Sequence, residues 1–157
     1  MPEKLDREAA AAMARLTELW LSQGAKLEIS GMLLFALALA IMLLNETSLP
    51  VMTGLACAFT FGIAGQYFAM RVAFDRRLFL HWAERWERNT SADPDEDMAR
   101  LDDALSSAGL RKSSQGSLRD LQSRQQGAFR LFRNQAIVFL LQCITLIVSA
   151  ATVHWVL

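Results

Sequence analysis

The sequence predicts an all-helical integral membrane protein with three transmembrane helices, an N-terminal amphipathic helix and a small cytoplasmic helical domain between the second and third spans. Three observations carry this fold class. Charge is absent from three long stretches, residues 29–45 (17 residues), 47–70 (24) and 134–157 (24). About 20 apolar residues cross roughly 30 Å of hydrocarbon, so the two longer stretches qualify outright. The first reaches that length when residues 25–28 continue its helix and Lys26 snorkels to the interface. Second, the chain is 53% hydrophobic, and this content lies in blocks, without an alternating or heptad pattern. Third, a formal net charge of zero hides an asymmetry: of 16 Lys and Arg, four precede Ile29 and twelve lie within 71–133. The positive-inside rule then assigns the N-terminus and the central segment to the cytoplasm and the C-terminus to the outside. The boundaries that follow are 1–24 for the amphipathic helix, 25–45, 49–70 and 134–157 for the spans, and 71–133 for the cytoplasmic domain.

Residues 3–22 read as an amphipathic helix with Leu5, Ala9, Ala12, Met13, Leu16, Leu19 and Trp20 on one face. That face suits either the inner leaflet or the cytoplasmic domain, and Gln23 and Gly24 are expected to break or bend the helix before the first span. Residues 45–49 are too short a link for anything but an antiparallel hairpin. Thr47 or Ser48 caps its second helix, and Pro50 sits in the first turn. The first apolar stretch lies behind a mixed-charge segment with no small-residue cleavage site after it, so no secretory signal is expected.

In the second span Gly54, Ala58, Gly62, Gly65 and Ala69 fall on one narrow stripe. Lipid gives no hydrophobic drive for helix association, so close approach across small residues is what holds spans together, and the stripe is expected to be a packing face. Packing against this chain's own first or third helix is the simpler reading; a second copy or a foreign helix is the other. Gln66 and Gln142 lie in the inner halves of their spans, where an unpaired amide is costly, and a hydrogen bond between them or to a partner is expected. Cys57 and Cys143 sit at different depths, so no disulfide is expected.

Nothing breaks the helix after Met70, so the second span should run on to about Thr90, with Phe79, Trp82 and Trp86 forming a cytoplasmic interaction face. Asn89 to Ala92 is a break. Asp93 then reads as an N-cap, Pro94 as the first helical residue and Asp95, Glu96 and Asp97 as acids that complement the helix dipole. This helix should reach Ser107 with Met98, Leu101, Ala104 and Leu105 inward, and Gly109 ends it. After a polar loop, Ser117 caps a last helix that runs through Gly127 into the third span.

Candidate chemistry is thin. Residues 93–97 resemble the opening of a calcium loop, but Met98 and Ala104 stand where glycine and a bidentate glutamate are needed. Asp95, Ala99, Arg100 and Gly109 echo fragments of the CDP-alcohol phosphatidyltransferase motif; Ala92, Ser113 and Ser117 replace three of its four aspartates, and the match fails. His81 and His154 lie on opposite sides of the bilayer and have no Cys or Asp at ligand spacing, so neither a haem pair nor a zinc site is expected. No catalytic residue, metal or cofactor is assigned. Arg71, Arg76, Arg77, Arg130 and Arg133 lie near the inner ends of their spans, where they anchor topology and can meet anionic headgroups. Ten acidic residues offset the twelve basic ones of 71–133, which argues against nucleic acid. The expected partners are the bilayer and other membrane subunits or self-association. The expected role is a non-enzymatic accessory or regulatory subunit of a bacterial inner-membrane assembly; the alternatives are a homo-oligomeric pore and an immunity protein against a membrane-acting toxin.

Overall fold

The computed structural model describes residues 6–44, 48–109 and 120–156, and all of its regular structure is helical: α1 (Arg7–Leu44), α2 (Leu49–Arg88), α3 (Pro94–Ser107) and α4 (Leu121–Val156). Three of the four are long and apolar enough to cross a membrane. Residues 45–47, the loop from Leu110, the Ser117 cap and the side chain of His154 lie outside the described residues; Ser48 stands at the N-cap of α2, but its side chain makes no capping hydrogen bond.

α1, α2 and α4 pack side by side over nearly their whole lengths as a single three-helix bundle, with no step between an apolar half and a charged half. The buried positions repeat every seven residues. One such line on α1 runs through Ala10, Thr17, Gly24 and Ala38, with Gly31 half-buried between them; on α4 the line is Leu121, Ala128, Gln135, Gln142 and Ser149. α2 carries two such lines, one through Val51, Ala58, Val72, Phe79 and Trp86 and one through Leu55, Gly62, Ala69 and Ala83. A seven-residue repeat is the signature of left-handed, coiled-coil-like packing. This corrects the sequence reading that found no heptad. Inside a span most positions are apolar, so the seam is marked by small residues, and on α4 by Gln135, Gln142 and Ser149, and a hydropathy pattern alone does not single it out.

The helices meet at matched heights. A Cβ added to Gly24 would lie 2.8 Å from Val72 Cγ1, 3.1 Å from Gln135 Oε1 and 3.7 Å from Phe132 Cδ2, so all three helices touch at this level. Lys26, Arg71 and Arg133 stand within two residues of it, forming a charged collar. From Gly24 to Leu44, α1 rises about 30 Å, which matches a hydrocarbon core. From Arg7 to Gly24 it extends about 25 Å past the collar.

α1 is unbroken through Gln23 and Gly24, contrary to expectation. Gly24 is there because the neighbouring helices come so close, and its carbonyl accepts a hydrogen bond from Gln135 Nε2 at 2.9 Å. The side of α1 that packs is also not the expected one. Ala10, Ala14, Thr17, Glu18 and Leu21 are buried, while Met13, Leu16, Leu19 and Trp20 are exposed. Small residues win the interface because the surface they meet, Phe79, Trp82 and Trp86, is bulky. α2 runs on past the collar to Arg88 and α4 crosses Gly127 without interruption, as the sequence predicts. α3 starts and stops as expected too: the Asp93 side chain accepts from the Asp95 amide, and Gly109 takes φ +68° after the last turn. Ala104, expected to face inward, is exposed.

A candidate interaction surface on α1

Most side chains that the sequence nominates for interaction are already used inside the chain. Gly54 backs onto Ser149 of α4, and Gly62 lies where a Cβ would come 2.5 Å from Phe35 of α1 and 3.3 Å from Gln142 Nε2. Gly65 faces Val138, and Ala58 and Ala69 are buried. The stripe on α2 is therefore packed against α1 and α4 of the same molecule.

The two expected amides do not meet. Gln142 donates to the Gly31 carbonyl at 3.3 Å, and Gln66 is half-buried on α2. The sequence reading missed the partner that matters: Gln135 sits one heptad before Gln142, as Gly24 sits one heptad before Gly31, and both glutamines make the same bond. A glutamine and a glycine repeated at equal spacing on two helices was the signal that could have found it. Gln135 Oε1 is buried without a partner.

Phe79, Trp82 and Trp86, expected as an interaction face, are instead the core of the charged half, at most 3% exposed. Trp82 and Trp86 stack with centroids 5.6 Å apart, and Phe79 meets Trp82 edge-on at 5.7 Å. Charged groups enclose this core. Trp86 Nε1 and Arg85 Nε both donate to Asp97 Oδ2, at 3.0 and 2.7 Å. Arg124 lies over the Trp82 ring at 5.7 Å, pairs with Asp102 at 2.6 Å and reaches the Met98 carbonyl. Arg7 donates to the carbonyl of Trp86 at 2.9 Å, tying the start of α1 to the end of α2.

Of the arginines near the collar, Arg71, Arg77, Arg130 and Arg133 are exposed, whereas Arg76 donates to the buried Glu18 of α1 at 2.9 Å. Arg76 thus serves the α1–α2 interface. The burial of Glu18 was not legible in the sequence, because a buried acid is visible only once its partner is in place. Nearby, Asp75 lies beyond the uncharged stretch, and burial raises its pKa above the usual carboxylate value while the Arg71 charge opposes the shift.

Among the described residues, two apolar features stand open. One is the outward side of α1 beyond the collar, where Met13, Leu16, Leu19 and Trp20 are 39%, 57%, 54% and 60% exposed. Contiguous apolar surface on a segment this far from the uncharged stretches makes this face the candidate interaction surface. The other is a groove of about 530 Å³ between α1 and α4 at the opposite end, walled by Leu34, Leu37 and Ile41 on one side and Cys143, Leu146 and Ile147 on the other, with Val51 and Leu55 as its floor. Both cysteines are free thiols. Among the described residues no three His, Cys, Asp or Glu side chains gather as a metal site. This arrangement can bind apolar surface. The features define a membrane-type helical bundle with an uncovered α1 face. Comparison with protein-family models, with curated proteins and with solved structures finds no match to this chain.

Proposed function

We propose that the protein is a non-enzymatic accessory or regulatory subunit of a bacterial inner-membrane assembly, acting through helix association. Its N-terminus and charged half are cytoplasmic and its C-terminus is outside, in keeping with the distribution of Lys and Arg. The observation that carries the reading is the exposed Met13, Leu16, Leu19 and Trp20 face of α1. The packing stripe and the tryptophans, which first suggested association, hold this chain's own bundle together, so the α1 face inherits the role. The membrane hydroxyls bond within their own helices: Thr53, Thr60, Thr145 and Ser149 each donate to a carbonyl four residues back.

Purification in mild detergent after brief cross-linking tests this. The wild type should carry a companion chain, and Leu16→Glu with Leu19→Glu should lose it while keeping its helicity. Wild-type protein recovered alone and monomeric would sink the reading.

A further inference from the structure

The uncovered face of α1 has the form of a second heptad seam. Met13, Trp20, Leu27, Leu34 and Ile41 lie seven residues apart, and so do Leu16, Gln23, Ser30 and Leu37; of these, Ile41 is partly packed against Val51 and Leu55. The interior seam of α1, through Ala10, Thr17, Gly24, Gly31 and Ala38, has the same period, so both lines keep their side of the helix along the supercoil. The second seam spans about 42 Å, and its far end is the α1 wall of the unfilled groove at Leu34, Leu37 and Ile41. One long helix would cover it.

Lipid covers only part of this seam. Counted from Gly24 at the collar, Trp20 lies about 6 Å, Leu16 about 12 Å and Met13 about 16 Å down the helix. The headgroup layer on one side of a bilayer is only about 5–8 Å thick. Leu16 and Met13 are therefore beyond the bilayer, and the occupant is a helix that crosses the membrane and continues well past it with an apolar face.

We propose that this occupant is α1 of a second copy of the chain, in a parallel, in-register dimer whose two-fold axis lies along the membrane normal. The proposal rests on the association reading above and names its partner. Three features of the seam support it. Insertion in one membrane fixes both copies in the same orientation, so the two α1 helices run parallel. The seam already extends past the collar by the length the occupant needs. An in-register pair also stacks each residue on its own copy, so a charge in the seam would meet its like; none of the nine seam residues is charged. The polar members are self-complementary, since the Gln23 amide both donates and accepts and the Ser30 hydroxyl does the same. Each α1 would then fill the groove between α1 and α4 of the other copy.

The test uses the full chain in nanodiscs, with Cys57 and Cys143 replaced by alanine and single cysteines introduced by Leu16→Cys, Leu37→Cys and, as a control on the exposed side of α2, Arg77→Cys. Mild oxidation should convert the greater part of the first two variants to a band of twice the 17.5 kDa chain, and the control should stay single. Cross-linking at both seam positions no greater than at Arg77→Cys overturns the dimer. Native mass measurement of the unmodified protein removes dependence on the variants: a mass of two chains supports the dimer, and a mass of one overturns it. A photo-reactive residue at position 16 separates the two readings. If the chain has a mass of one and this residue captures a different membrane protein, the dimer falls and the subunit reading stands. If it captures lipid alone, both fall.

Discussion

Glycine has opposite meanings at different places in this chain, and substitution should show it. Gly62 is buried where a Cβ meets Phe35 and Gln142, whereas Gly127 has nothing within 4 Å of where its Cβ would stand. Gly62→Ile should therefore push α2 off its neighbours and lower stability by about 1–3 kcal/mol, as overpacking does. Gly127→Ala should raise it by about 0.5–1 kcal/mol, because alanine is the better helix former where space allows. Thermal unfolding in detergent measures both; an unchanged Gly62→Ile protein would mean that the stripe does not pack.

Asp75 gives a second prediction at this scale. Its folded-state pKa is raised, so the folded protein holds the proton more tightly than the unfolded chain, and stability falls as pH rises through that pKa. Above that pKa the charged, half-buried carboxylate is a liability. Asp75→Asn should then be more stable than wild type near pH 7, with the advantage shrinking as the medium is acidified toward the ordinary carboxylate range. An advantage that grew on acidification would contradict the sign.

At the scale of elements, α3 is the piece held by the fewest groups. It reaches the bundle through buried Met98, through Asp97 under Trp86 and Arg85, and through Asp102 and the Met98 carbonyl on Arg124. The Arg124–Asp102 pair is nearly buried, at 12% and 11% side-chain exposure. Removing one partner of such a pair strands the other, at a cost of about 3 kcal/mol. Arg124→Ala should therefore release α3, which hydrogen exchange would report as lost protection of residues 94–107 with α1 and α2 unaffected. Uniform loss across all four helices would mean that α3 folds only as part of one cooperative unit with the bundle. Asp93→Ala should cost less, about 1 kcal/mol, by leaving the Asp95 amide uncapped.

At the scale of the whole molecule, the orientation proposed here places Ser113 inside and the C-terminus outside. Reporter fusions at these two points should give opposite signals, and a cytoplasmic C-terminus would overturn the assignment. Elements were well marked in the sequence, because each mark is local: uncharged length for the spans, Asp93-Pro94 for the start of α3, Gly109 for its end. The break expected at Gly24 failed because a glycine carries the same letter whether it ends a helix or lets another helix approach. The candidate surface was legible as an apolar face of Met13, Leu16, Leu19 and Trp20, but its fate was not. Hydropathy ranked that face above the small residues opposite, so it gave no reason to expect that Ala10, Ala14 and Thr17 would be buried and the larger side chains left out.

By itself, then, the sequence determined that the chain is helical and membrane-type, that three of its helices are long and apolar enough to span, and where α3 is capped, since these depend on the composition and spacing of neighbouring residues. Only the tertiary structure decided which faces meet. Phe79, Trp82 and Trp86 became core, Gln142 found Gly31 and Gln66 did not, and the outer face of α1 stayed bare. That choice depends on how three helices fit together, large side chains against small ones at matched heights, and pairing of this kind exists only between segments far apart in the chain.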